Sequence, residues 1–282
     1  MQGISELTNL YALRLTSTGI SDLSILSQQR HITELTLIDN RELDSFNTLQ
    51  EMTLHNPDTL DAIRGMQNLE ELAISFGWLL IDASSLGSLS NLRYLRIYDS
   101  RTFHSEVQGM DAIGQLNNLR RLNISGNDIF FNWNFIYGLE SLEVLNISNN
   151  NVIGNFSGIG RLQNLRMLHM SNVRLMSSYQ ISRSGGMVSI GFVDTANVDD
   201  FSDALANLIN LEILSISSNE VRDISFVSGM SRLRNFYAED NFISDISALV
   251  GLSNLEFINL RRNAVENWNV LDEMVNTIII GR

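Results

Sequence analysis

The chain of 282 residues contains no cysteine and no lysine, and all 19 of its basic residues are arginine. Without thiols there is no disulfide framework and no thiolate metal site, and the redox compartment stays open. Without lysine amines there is no Walker-type phosphate loop, no Schiff-base chemistry and no kinase catalytic set. Histidine is scarce, and His31, His55, His104 and His169 lie too far apart to suggest a metal cluster. No G-x-S-x-G, H-E-x-x-H or G-x-G-x-x-G run occurs. The expectation is therefore a non-enzymatic chain with no cofactor, no metal and no catalytic residues. Positive charge is short as well, since the formal net charge of −13 opposes binding to nucleic acid or to anionic membrane surfaces. No apolar run reaches the roughly 18–20 residues of a bilayer span. The longest, ISFGWLLI from Ile74, is far shorter, and the N-terminal MQGISELTNL has neither the basic start nor the apolar run of a signal peptide.

What the chain does have is a repeat. LEILSISSNEV from Leu211, LRNFYAEDNFI from Leu233 and LEFINLRRNAV from Leu255 carry apolar residues at slots one, four, six and eleven, and Asn219, Asn241 and Asn263 at slot nine. The markers Leu211, Leu233 and Leu255 stand 22 residues apart. Such a period and pattern describe a leucine-rich repeat, in which each unit adds one short parallel strand to a stack. Side chains alternate along a strand, so slots four and six turn to the core and slots three, five and seven to solvent. An Asn at slot nine can bond backbone groups left unpaired by the turn, and stacked units then form a ladder of such bonds.

Further slot-one markers are Leu10, Ile32, Leu49, Leu69, Leu92, Leu119, Leu142, Leu165 and a weak unit near Val188. The fold expected is an α/β right-handed leucine-rich-repeat solenoid of about 12 repeats, with a curved parallel sheet on the concave face and 3-10 or short helical segments on the convex face. One domain spans residues 1–282, with irregular repeats at 77–110 and 174–200, and the last residues, TIIIGR, suggest an excerpt lacking its native caps. Near residue 188 the register has two solutions that exclude each other. Met187 at slot one buries Ile190 and Phe192 and is favoured over Val188, which buries Gly191 and Val193. The preceding MSSYQISRSGG, rich in Ser and Gly, is expected to be the most mobile stretch.

After the strand, the turns Gly19-Ile20-Ser21-Asp22-Leu23, Val221-Arg222-Asp223-Ile224-Ser225 and Ile243-Ser244-Asp245-Ile246-Ser247-Ala248-Leu249 follow an I-S-D-I-S-x-L pattern. This resembles the 22-residue repeat of the bacterial internalins and, more distantly, phosphatase-binding repeats of the same length. Internalins usually place Pro where Ile25, Phe226 and Ala248 stand here. The resemblance implies a recognition module, secreted or displayed on a bacterial surface and directed at another protein or a glycan. An intracellular scaffold, regulatory subunit or delivered effector is the alternative it leaves open.

The outward slots two, three, five, seven and eight together form the concave face and locate the candidate binding surface. Its middle is basic and aromatic, with Phe76, Arg93, Tyr94, Arg96, Tyr98, Arg120, Arg121, Arg166 and His169. Arg and Tyr are residue types that anchor interfaces, because each carries polar groups on a large body. The competing reading is that Arg93 and Arg120 pair with Glu70, Glu71 and Glu143 across neighbouring strands. A second patch holds Tyr237, Glu239, Phe257 and Arg261. The aromatic run FFNWNF, residues 130–135, sits where the convex layer needs apolar filling, and the acidic DDFSD, residues 199–203, lacks the glycine and spacing of a calcium loop. The N-x-S sequons at Asn123 and Asn146 arise from the repeat pattern itself.

Overall fold

The computed structural model describes residues 9–16, 26, 29–38, 63–75, 82–98, 109–127, 130–153, 156–184, 187–196 and 202–282. These fall into two compact units, Met1–Ser141 and Leu142–Arg282. Both are built by the leucine-rich-repeat rule.

In the first unit five parallel strands pair in chain order: β1 (Ala12–Thr16), β2 (Glu34–Ile38), β3 (Glu71–Ser75), β4 (Tyr94–Tyr98) and β5 (Arg121–Asn123). A further short strand, β6, is Phe130–Asn132. Slot-one Leu69, Leu92 and Leu119 and slot-four Leu72, Leu95 and Leu122 are fully buried, each such side chain contributing about 1.5–3 kcal/mol by leaving water. The outer layer is a row of 3-10 segments, Ala83–Ser88, Met110–Gln115 and Trp133–Gly138, packed side by side. Trp133 and Ile136 are fully buried in it. The packing is close enough to demand glycine: a Cβ on Gly114 would lie 2.6 Å from the Phe135 carbonyl oxygen, and one on Gly138 would strike the Gly114 carbonyl.

In the second unit six parallel strands pair in order: β7 (Val144–Asn146), β9 (Met167–His169), β12 (Ile213–Ser215), β13 (Asn235–Tyr237), β14 (Phe257–Asn259) and β15 (Ile278–Ile280). Strand β8 (Asn150–Ile153) follows the first of them and pairs with the start of the long strand β10 (Val173–Ser184). Strand β11 (Met187–Ala196) runs antiparallel to β10. The helix α1 (Ser202–Ala206) and the 3-10 segments Phe156–Arg161 and Ser225–Gly229 form part of the outer layer.

The turn after each strand explains why polar residues recur there. At slot eight the backbone is left-handed, with φ of 58° at Asn149, 51° at Asn172, 59° at Ser218, 55° at Asp240, 55° at Arg262 and 71° at Gly126. Asn, Asp and Gly tolerate that region better than other residues. Slot nine then turns its amide inward. Asn241 Nδ2 donates to the carbonyls of Ile216 (3.1 Å) and Ala238 (3.0 Å), and its Oδ1 accepts from the backbone N–H of Asn219 (3.1 Å) and Val221 (3.0 Å). Asn263 repeats the arrangement with Ala238, Leu260 and Ile243, and Asn127 with Ile97 and Ile124. In the two described I-S-D-I-S turns the Asp accepts from the Ser two residues on, Ser225 N donating to Asp223 Oδ1 at 2.7 Å and Ser247 N to Asp245 Oδ1 at 2.8 Å. Hydrogen bonds from the Ser247 side chain and backbone hold the Asp245 carboxyl below its usual range.

A second ladder runs ahead of the strands, at the residue preceding slot one. Asn68, Asn91 and Asn118 in the first unit donate their amides to the carbonyls of Arg30, Gln67 and Ser90, and Asn210 and Asn254 in the second to those of Gln163 and Ser231, all at 2.7–2.9 Å. The strands are thus pinned at both ends.

Leu49 lies outside the described residues, and β2 bonds directly to β3. One sequence expectation needs correction. The unit near Val188 is not a repeat in either register. Met187 opens one arm of a hairpin, and β9 bonds directly to β12 across it. The reason is written in the chain: Gly185-Gly186 precedes MVSIGFVDTA, a segment rich in β-branched and aromatic residues, and a Gly-Gly pair between two strands favours a two-residue hairpin connection. Residues Met176–Ser184 of the stretch expected to be loosest belong to the twelve-residue β10.

Candidate functional site

The strand faces turned away from the core carry three rows of side chains. Slot two, just before each strand, is a row of charge. In the first unit Arg93 pairs with Glu70 at 3.8 Å. In the second, Arg166 Nε donates to Glu212 Oε1 at 2.8 Å and Arg234 Nε to Glu256 Oε1 at 3.0 Å, each pair reinforced by an Nη2 bond. Glu256 holds the Arg234 guanidinium still more firmly in its charged form. These are internal pairs between neighbouring repeats, and Arg166 belongs to them.

Slot three differs between the units. In the first, Glu34, Glu71, Tyr94 and Arg121 lie side by side in register on β2 to β5. Glu34, Glu71 and Arg121 are exposed, Tyr94 is half-buried, and none of the four has an ion-pair partner among the described residues. In the second unit the same row reads Val144, Met167, Ile213, Asn235, Phe257 and Ile278. Like charges adjacent in one row cost free energy, and so do apolar side chains left half-buried, as Val144, Met167, Ile213 and Phe257 are, or exposed, as Ile278 is.

Slot five completes the surface. Arg96 lies between Ala73 and Asn123 in register, and His169 between Asn146 and Ser215. Partial burial pushes the His169 imidazole below its usual value, which keeps it neutral at pH 7. Ser215 Oγ lies 2.6 Å from Ser171 Oγ. Tyr237 contacts Phe257 with ring centroids 5.1 Å apart. Asn123 and Asn146 spend their Oδ1 atoms on the backbone N–H of Ser125 (3.0 Å) and Ser148 (3.1 Å), a local role for residues that also read as sequons.

The expected site residues therefore separate. Arg93, Tyr94, Arg96, Tyr98 and Arg121 come together on β4, β5 and the turn before β4, with exposed Arg120 immediately ahead of β5. Arg166 and His169 sit at β9 in the second unit. Phe76 lies outside the described residues. The second patch is drawn together by the Tyr237–Phe257 contact, while Glu239 accepts from Asn259 Nδ2 at 3.1 Å and pairs with Arg262 at 2.9 Å; Arg261 is exposed. The sequence reading missed a shallow groove in the second unit, lined by Arg166, Glu212, Arg232, Arg234, Asn254 and Glu256. Its signal was the alternation of Arg and Glu at slot two, which is plain only once the hairpin is taken out of the register. Of DDFSD only Ser202 and Asp203 are described, at the start of α1. Among the described residues no three His, Asp or Glu converge as a metal site, and no helix is long and apolar enough to cross a membrane.

No family model matches the sequence, and no curated protein does. Solved structures do match. The functional domain of InlJ from Listeria monocytogenes, described as including a cysteine ladder, superposes with a TM-score of 0.62 at 17% identity, over 100% of this chain and 50% of that one. The plant peptide hormone receptor RGFR1, solved in complex with RGF2, gives 0.60 at 19% identity, over 93% of this chain and 38% of that one. An internalin, InlF of Listeria monocytogenes, gives 0.52 at 17% identity, over 98% of this chain and 87% of that one. At these identities the likeness is one of fold, and this chain has asparagine ladders and no cysteine. By fold, the chain is a leucine-rich-repeat protein similar to the bacterial internalins.

Proposed function

We propose that the chain is a non-enzymatic recognition module, secreted or displayed at a bacterial surface, that binds a protein partner through the strand face of its first unit. The observation that carries this reading is the contrast between rows. Charges at slot two neutralise one another inside the fold, whereas Glu34, Glu71 and Arg121 at slot three have no ion-pair partner among the described residues. Unpaired charge around a half-buried tyrosine on a rigid sheet suits an external partner of complementary charge. Arg96 and Arg120 border that row and extend the surface, Arg93 stands apart in its pair with Glu70, and Tyr98 lies further along β4. The RGFR1 complex with RGF2 supports the reading, since RGFR1 is a peptide hormone receptor of similar fold.

The test is direct. A partner is identified by capture on the immobilised chain, purified, and titrated against Tyr94→Ala plus Arg121→Glu. Loss of two hot-spot contacts, each worth about 2 kcal/mol or more, lowers affinity by at least about 100-fold. The slot-two control Arg93→Glu lowers it by less than about tenfold, the usual consequence of altering an exposed ion pair. Undiminished binding by the double variant, with its circular dichroism unchanged, sinks the proposal.

A further inference from the structure

In the second unit Arg232 departs from the rule that holds the strands together, as does Val275 ahead of the last strand. Asn164, Asn210 and Asn254 precede slot one in the repeats of Leu165, Leu211 and Leu255, and Asn210 and Asn254 donate their amides to a carbonyl of the preceding repeat. In the repeat between Asn210 and Asn254 that position is Arg232. By the same register an Asn at 232 would meet the carbonyl of Ile209. The fold gives up a staple there, and the arginine lines the groove. A local rule broken without a gain inside the fold marks a residue kept for something outside it.

The surroundings say what that is. Within the groove Arg166 is committed to Glu212 and Arg234 to Glu256, and the Asn254 amide is committed to the Ser231 carbonyl. Arg232 is exposed and has no ion-pair partner among the described residues. The lining thus holds three guanidinium groups against two carboxylates, a local excess of positive charge in a chain whose net charge is −13. A guanidinium presents its N–H groups as a planar fork that fits a carboxylate edge-on. The two flanking ion pairs hold the walls of the groove without consuming that fork.

We infer that the Arg232 groove of the second unit binds a carboxylate of a partner peptide, supplied by an acidic side chain. The inference shares with the proposed function only the premise that the strand side of the molecule is a recognition surface. It concerns a different unit and a defined probe, so its failure leaves the Tyr94–Arg121 site standing, and the reverse holds.

The probe is N-acetyl-hexaglutamate amide, with N-acetyl-hexaglutamine amide as its uncharged control, each titrated into the full chain at low ionic strength. The readout is the set of arginine Nε–Hε signals in a nitrogen-edited spectrum. The Arg232 signal is expected to shift and saturate with hexaglutamate and to stay in place with hexaglutamine. Arg232→Gln weakens the binding by at least tenfold, and Arg232→Lys recovers part of it. Arg232→Asn supplies the discriminating result: completing the ladder raises the melting temperature while the binding is lost. A shift spread evenly over all the arginines, native-like titration of Arg232→Gln, or a fall in melting temperature for Arg232→Asn would each overturn the assignment.

Discussion

The slot-three rows of the two units occupy equivalent backbone positions and carry opposed chemistry. In the first unit the row runs from acid through tyrosine to arginine, as Glu34, Glu71, Tyr94 and Arg121. In the second it is apolar apart from Asn235, from Val144 to Ile278. The inward slots show no such divergence of polarity, since both units bury apolar side chains at slots one, four and six, mostly aliphatic, with Phe236 aromatic. The lesson is that the repeat dictates which side chains leave water and is silent about those that face it, so the exposed row is where the units were free to diverge.

Four measurements would break or sharpen that contrast. The largest effect tests the shared construction: Leu95→Ala in the first unit and Leu214→Ala in the second, both fully buried, should each cost about 2–5 kcal/mol by chemical denaturation. A cost near zero in either unit would mean that unit is not held by its slot-four row. Next come the ladders. Asn241→Ala strands buried backbone groups on both sides and should cost about 3 kcal/mol, whereas Asn210→Ala removes one exposed bond and should cost about 1 kcal/mol. Equal losses would erase the distinction between the two ladders.

The third measurement is pH-dependent. Burial lowers the native pKa of His169 below its usual 6.5, so the unfolded chain takes up a proton before the folded one does. Its contribution to stability is whole above pH 6.5 and is lost as the pH falls from there through the lowered native value. Melting temperatures at pH 7.5 and 5.0 should therefore differ less in His169→Asn than in the native chain. The smallest effect lies on the first unit's open face: Glu71→Gln relieves the like charge beside Glu34 and should raise stability by a few tenths of a kcal/mol, about the size expected of exposed neighbouring charges. That gain should shrink in high salt.

Much of the fold was legible because the repeat advertises itself. Leu211, Leu233 and Leu255 set the slots, and Asn219, Asn241 and Asn263 do what slot-nine amides are needed for. The second ladder was equally present in the Asn-Leu pairs at 68–69, 91–92 and 118–119, but a residue just outside the strand looks like solvent-facing filler until its carbonyl partner is known. The hairpin went unread because spacing from Leu165 through 188 to Leu211 is regular, so the period masked the Gly185-Gly186 signal. The charge pairs suffered from the same error. Arg166 seeks its partner on the next strand in space, which is Glu212 on the far side of the hairpin, and no fixed sequence step finds it. Of the candidate site, the cluster of Tyr94, Arg96 and Arg121 followed from alternation alone, whereas the Arg232 groove depends on which charges are already spent.

The hairpin leaves the stack without loosening it. Asn219 helps span the gap, its Oδ1 taking the N–H of Val173 at 2.8 Å and its Nδ2 giving to the Met170 carbonyl at 2.6 Å, beside backbone bonds from Met170 N to Ser215 O and Asn172 N to Ser217 O. Strand β9 meets β12 as though nothing had come between, and α1 fills the outer layer before the next strand begins. The hairpin arms, residues 176–184 and 187–196, are accordingly an appendage on a closed frame, a natural port at which a short linker or a foreign loop could be spliced while the asparagine on its far side keeps the seam shut.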